Sequence, residues 1–277
     1  MLTPTDEIVS AAAARGRGVG AFNVIQLEHA EALVAGAERA GAPVVLQISE
    51  NAVRYHGALA PIGLATLEVA RRSTARVAVH LDHAESTELV AEAVALGFTS
   101  VMFDGSKLDY AENVRVTAEV VRRCHSAGVS VEAELGEVGG KDGVHAAGAR
   151  TDPAEAARFV ADTGVDALAV AVGSSHAMLT KDAALDFGLI GELSGAVPVP
   201  LVLHGSSGVP DEGLTLAVDS GMTKINIATQ LNKVFTAAVR EFLAANPGVV
   251  DTRKYLAAGR EAVAAEVCRL LGVLRAA

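Results

Sequence analysis

The sequence predicts an α/β fold: a closed (β/α)8 TIM barrel with an N-terminal capping helix and a C-terminal helical extension. Three observations carry this. Short apolar or β-branched runs recur eight times along the 277 residues. Segments with apolar residues three and four positions apart lie between them, and alternation of strand and helix with short connections implies parallel βαβ units. Apolar residues make up 51% of the chain and aromatics only 4%, so the core is built from Ala, Val, Leu and Ile, which suits a parallel sheet wrapped in Ala-rich helices. Eight such units at this length favour a closed barrel over an open sheet.

The strand runs are, in order, VGAFN (19–23), VVLQIS (44–49), VAVHLD (77–82), SVMFD (100–104), VSVEAEL (129–135), ALAVAVG (167–173), PLVLHG (200–205) and KINIA (224–228). Helical segments include 26–41, 86–97, 110–128 and 152–164. Ser86 and Asp152 are placed as N-caps, with Pro153 at a first helical position. Gly41, Gly97, Gly128 and Gly164 follow helices and precede strands, as helix-terminating glycines do. A helix over residues 6–15 and a helical segment after Pro247 complete the pattern. No linker or low-complexity tract breaks it, so residues 1–277 are expected to form one domain.

The formal net charge of −10 argues against nucleic-acid or anionic-membrane partners, though a local basic pocket can still take an anionic substrate. The N-terminal MLTPTDEIVS has neither a basic nor an apolar signal region, and no apolar run is long enough to span a bilayer. Cys124 and Cys268 lie far apart in helix-like stretches and read as buried thiols, so a cytoplasmic location is expected.

In such a barrel the reactive groups gather at the C-terminal strand ends. Those ends carry Asn23, Ser49, Asp82 with His83, Asp104, Glu134, His176, His204 and Asn226. Three imidazoles, His83, His176 and His204, reach the rim from three different strands, a zinc-binding arrangement that leaves a position open for substrate. The alternative is three buried, hydrogen-bonded histidines without metal. Asp104 and Glu134 are either acceptors for the histidine N–H groups or ligands of a second cation position, divalent or monovalent. His80 shares strand parity with Asp82 but lies a layer deeper. Gly173, Gly205, Ser207, Ala228 and Thr229 sit in GSS, HGSSG and NIAT segments after strands six to eight, where barrels commonly bind phosphate. A polarising metal, a phosphate pocket and an adjacent carboxyl group suit retro-aldol cleavage of a phosphorylated ketose.

Several motifs strengthen this: AFNV (21–24), LDH (81–83), SVMFDGS (100–106), EAELGEVGG (132–140), TDP (151–153), TGVDALAVAVGSSH (163–176), LVLHGSSG (201–208), KINIAT (224–229) and DTRKYL (251–256). Together they resemble the class II, metal-dependent ketose-bisphosphate aldolases, which act on fructose or tagatose 1,6-bisphosphate, across nearly the whole chain. The resemblance implies reversible cleavage to dihydroxyacetone phosphate and glyceraldehyde 3-phosphate. It implies zinc on His83, His176 and His204, and Asp82 as the acid/base for the C4 hydroxyl. It places Asp104 and Glu134 at an alternative metal position. Gly205, Ser207 and residues 226–229 would hold dihydroxyacetone phosphate, with Asn226 at its hydroxyl or carbonyl region and Asn23 and Ser49 lining the pocket. A homodimer or homotetramer is expected.

The sequence departs from the family in places. GGKDG (139–143) replaces a loop with the usual glutamate, so Asp142 is the nearest candidate for the proton-abstracting base. Ala177 stands where glycine is common. Ala228 stands where many fructose-type members carry Asp, which resembles the tagatose-type pattern. Arg253, Lys254 and Arg260 are candidates for a second phosphate site or plain surface charge. These departures keep two alternatives in view: a dihydroxyacetone-phosphate-dependent aldolase for another aldehyde, as in sugar-acid catabolism, and a non-catalytic sugar-phosphate-binding protein.

Overall fold

Every one of the eight apolar runs forms a strand in the computed structural model, which describes residues 1–135, 150–174, 180–181 and 183–277. The strands are β1 (Val19–Asn23), β2 (Val44–Ser49), β3 (Val77–Ala84), β4 (Ser100–Phe103), β5 (Ser130–Glu134), β6 (Ala167–Ala169), β7 (Leu201–Leu203) and β8 (Met222–Ile227). All neighbours pair in parallel, and β8 returns to β1, so the sheet closes in chain order. The helices are α1 (Thr5–Ala13), α2 (Leu27–Ala40), α3 (Glu50–His56), α4 (Ala60–Arg72), α5 (Thr87–Leu96), α6 (Tyr110–Ser126), α7 (Pro153–Thr163), α8 (Phe187–Ala196), α9 (Asp211–Asp219), α10 (Thr229–Ala245) and α11 (Thr252–Val273).

Local chemistry sets the helix limits. The side chains of Ser86 and Asp152 accept hydrogen bonds from Leu89 N and Glu155 N, each satisfying an amide that has no partner within its helix. Gly41 and Gly97 end α2 and α5 at φ of 64° and 95°, a conformation costly for residues with a Cβ.

Strand alternation divides the core in two. Outward residues such as Phe22, Leu46, Val79, Val101, Val131, Leu168, Leu203 and Ile225 bury against the helices in one large cluster. Each fully buried Leu, Ile or Phe contributes about 1.5–3 kcal/mol relative to exposure. A small separate cluster, Val19, Ala21, Val45 and Ala78 with Ile8 and Ala12 of α1, fills the base of the barrel. The N-terminal helix is therefore an apolar plug.

Two features differ from the sequence reading. The expected sixth strand runs to 173, yet β6 ends at Ala169. Beyond it the backbone turns to the 151 segment: Ala171 N donates to Thr151 Oγ1, and Ala171 O accepts from Thr151 N. The C-terminal segment is also more than an extension. α11 packs between α9 and α2 and completes the outer ring α2–α4–α5–α6–α7–α8–α9–α11, while α10 lies outside that ring against α11. α2 and α11 approach closely at Gly36, where a Cβ would lie 2.7 Å from both Ala264 O and Val267 Cβ.

Candidate active site

Asp82 and His83 are sequence neighbours, and an undistorted strand would send their side chains to opposite faces. The structure avoids this with a bulge. The β3–β4 register shifts between Leu81 and Ala84, and His83 adopts φ 50°, rare for a residue with a Cβ. Both side chains thus reach the rim. Ligand atoms of Asp82, His83 and His204 all lie within 4.8 Å of one another, and so do those of His83, Asp104 and Glu134.

Hydrogen bonds fix these groups. His83 Nδ1 lies 2.8 Å from Asp104 Oδ2, and Asp104 Oδ1 accepts from Ser106 Oγ at 2.6 Å and Ser106 N at 3.1 Å. The SVMFDGS turn therefore clamps Asp104 beside His83. His204 is fully buried, with Nε2 3.1 Å from Glu132 Oε1 and Nδ1 3.2 Å from Glu134 Oε2. Its ring meets that of His83 edge-on at 4.7 Å.

The carboxylates set the electrostatics of the two histidines. Burial works against charge on His83, but Asp82, Asp104 and Glu134 overcome it and push its pKa up to about 10. Burial likewise opposes a charge on His204, and Glu132 and Glu134 raise its pKa nonetheless. Burial lifts Glu134 above the ordinary carboxylate range, against the pull of His204. Burial also opposes ionisation of Asp104, but the hydrogen bond from His83 drives its pKa well down. Asp82, Asp104, Glu132 and Glu134 thus converge on the two imidazoles and favour positive charge there. A mixed imidazole and carboxylate donor set of this kind fits a divalent first-row ion.

A second polar layer lies under the rim. Lys224 Nζ contacts Glu132 Oε2 at 2.8 Å and Asn226 Oδ1 at 2.9 Å, and Asn226 Nδ2 is 3.5 Å from Asp82 Oδ1. His80 Nδ1 pairs with Ser100 Oγ at 2.7 Å, while its Nε2 lies 3.8 Å from Glu132 Oε2. Burial, reinforced by Lys224, pushes the His80 pKa down to about 3. Gln47 Nε2 donates to Asn23 Oδ1 at 2.8 Å. The sequence reading gave no role to Glu132, Lys224, Gln47 or Ser106. Strand parity could have found the first three, since Glu132, Lys224 and Gln47 each stand two residues before an expected site residue and so share its face.

The segments expected to bind phosphate come from neighbouring loops. Gly205 has φ 67° and opens a short 3-10 turn at Ser206–Gly208. Ser207 Oγ accepts from Ala228 N at 3.3 Å and Gln230 N at 3.2 Å, which ties that turn to the start of α10, where Thr229 is the first helical residue. Gly173 (φ 112°) admits Ala184 O to 2.5 Å of where a Cβ would stand, and the Oγ of buried Ser174 has no partner among the described residues. Ser49 Oγ accepts from Ala52 N and caps α3. His176, Ala177, Lys141 and Asp142 lie outside the described residues. Arg253 pairs with Asp251, and Arg260 with Glu31 on α2, so both are engaged away from the converging ligand atoms.

Parallel strands closed into a barrel, with imidazoles and carboxylates converging at their C-terminal ends, define a metal-dependent barrel enzyme. The family model for class II fructose-bisphosphate aldolase matches residues 3–277. The fructose-bisphosphate aldolase of Geobacillus stearothermophilus is 43% identical over 260 residues, covering 92% of this chain and 91% of that protein. A probable fructose-bisphosphate aldolase of Bacillus subtilis is 42% identical over 267 residues, covering 95% and 93%. Among solved structures, the YdjI aldolase from Escherichia coli K12 superposes with a TM-score of 0.88 at 32% identity, covering 100% of this chain and 98% of that one. The chain belongs to the class II fructose-bisphosphate aldolase family, whose members are metal-dependent aldehyde-lyases.

Proposed function

We propose that this chain is a zinc enzyme that reversibly cleaves a ketose 1,6-bisphosphate to dihydroxyacetone phosphate and glyceraldehyde 3-phosphate. The observation that carries the reading is the convergence of Asp82, His83 and His204 ligand atoms within 4.8 Å at the barrel rim. His83 and His204, joined by His176, would hold the ion, with Asp104 and Glu134 at a second cation position. The ion, when bound, supplies electrophilic polarisation of the substrate carbonyl.

The remaining roles fall to side chains and backbone. Asp82 takes the proton from the C4 hydroxyl as the C3–C4 bond breaks and returns it in the reverse direction. Asn226, whose Nδ2 faces Asp82, donates to the oxygen that gains negative charge. The phosphate is received by the turn at Gly173 and Gly205, by Ser207, and by the Ala228–Thr229 start of α10, where helix amides and dipole favour an anion. Asn23 and Ser49 shape the pocket wall. Asp142 is the proposed base for the C3 proton of dihydroxyacetone phosphate.

This reading takes residues 1–277 as one barrel domain in a homodimer or homotetramer. Support for assembly comes from α10, which lies outside the ring with Phe242 half-buried and Leu243 exposed. A cytoplasmic location is supported by the two free thiols, Cys124 and Cys268. Ala228 offers no side-chain oxygen to a sugar hydroxyl, which favours a second substrate, tagatose 1,6-bisphosphate or another aldehyde partner, beside fructose 1,6-bisphosphate. The test is cleavage of both bisphosphates before chelation, after it, and after zinc is restored. Turnover indifferent to chelation would refute the metal role, and a strong preference for unphosphorylated aldehydes in the reverse direction would reassign the substrate. Asp142→Ala should slow proton exchange at C3; unchanged exchange would move the base elsewhere.

A further inference from the structure

Lys224 is almost fully buried, at 1% exposure, and has no part in the roles above. It contacts Glu132 on β5 from β8, and these strands are not neighbours in the sheet, so the pair crosses the barrel interior. Two arms leave this centre. Through Glu132, whose Oε2 takes Lys224, the other oxygen Oε1 reaches His204 Nε2 at 3.1 Å. Through Asn226, whose Oδ1 takes Lys224, the amide nitrogen faces Asp82 at 3.5 Å.

A lysine Nζ offers only donors. Asn226 must therefore turn its carbonyl oxygen down to Lys224, which leaves its NH2 aimed at Asp82 and the substrate space. Without that donor the amide could rotate and present an oxygen to the carboxylate and to developing negative charge. On the other arm, Glu132 Oε1 lies 3.1 Å from His204 Nε2, and an ionised carboxylate there can only accept, which favours the hydrogen on Nε2. That leaves Nδ1, on the Glu134 side, as the nitrogen with a lone pair for a cation. Lys224 keeps Glu132 in place and charge-balanced for this task.

We propose that Lys224 is a positioning residue that sets two groups at once: the amide direction of Asn226 and, through Glu132, the ring tautomer of His204. It links the proton-transfer side of the site to the metal side through one buried contact. This rests on the roles proposed above for Asn226 and His204.

The test is the double variant Lys224→Met/Glu132→Gln, which removes both charges at similar volume and leaves no buried ion unpaired. Cobalt affinity, measured by chelator competition, is expected to fall about 10- to 100-fold. At saturating metal and substrate, kcat is expected to fall at least about 10-fold with KM within about threefold, the pattern of a lost transition-state interaction. Wild-type cobalt affinity or wild-type kcat in the folded double variant overturns the proposal. A second measurement needs no variant: NMR of cadmium-loaded wild-type protein with isotope-labelled histidine should show His204 coupled to the metal through Nδ1 and protonated at Nε2. Coupling through Nε2 overturns it equally. If wild-type protein cleaves no bisphosphate with any metal, the reading of the reaction fails, and the cobalt and NMR results still decide the Lys224 arm to His204.

Discussion

The two ends of the barrel are made by the same strands and could hardly differ more. At the base, inward positions carry Val19, Ala21, Val45 and Ala78, closed off by Ile8 and Ala12. Further along, the inward positions become Gln47, His80, Glu132 and Lys224, and then Asn23, Asp82, Glu134 and Asn226. One end removes apolar surface from water and asks nothing of its side chains but volume. The other buries charges that are stable only while each has its partner. The lesson is a separation along the barrel axis, with stability drawn from the base and the outer layer and chemistry placed where the strands end.

That separation can be broken or sharpened by experiment. The largest expected effect is at the rim, where removal of metal by a chelator should abolish bisphosphate cleavage and added zinc should restore it, followed in a coupled assay. Next is Asp82→Ala, expected to lower kcat/KM by about 10²- to 10⁴-fold, on the order of 3–5 kcal/mol of transition-state stabilisation, with zinc still bound by elemental analysis. Turnover near wild type would remove Asp82 from the reaction. At the base, Ile8→Ala should cost about 2–5 kcal/mol in urea unfolding while KM and kcat at low temperature stay unchanged. A large kinetic effect there would show the two ends to be coupled. The smallest effect lies outside both ends, at His29 on α2, which packs against Phe235 at 5.0 Å with both ring nitrogens lacking hydrogen-bond partners among the described residues. Burial lowers its pKa, against a weaker opposing pull from Glu28. The unfolded chain then binds the proton more readily, so stability declines as pH falls through the ordinary imidazole range. His29→Leu should flatten that decline in thermal melts between about pH 7 and 5; an unchanged slope would assign it to other groups.

The architecture was legible because its signals are local. Strand runs, N-caps at Ser86 and Asp152 and helix-ending glycines each act within a few residues, and the eight repeats leave one closed arrangement. Strand ends also disclosed most rim residues, since position along a parallel strand fixes height in the barrel. Two things were hidden. The turn that brings Asp82 and His83 to one face is a bulge in the β3–β4 pairing, and no residue type in LDHA announces a positive φ at a histidine. The Glu132–Lys224 contact joins residues 92 positions apart across the interior, and each alone reads as an ordinary polar residue in a strand. The destination of α11 was hidden too, because a helix following β8 already existed in α10, and only packing decides which of the two joins the ring.

That placement of α11 has a consequence for how the molecule comes into being. Its seam with α2, where Gly36 meets Val267, unites segments from opposite ends of the sequence. The barrel flank at α2 is therefore covered only once α11, more than 200 residues later in the chain, has been made. Such non-local closure is slow and leaves sticky surface exposed meanwhile.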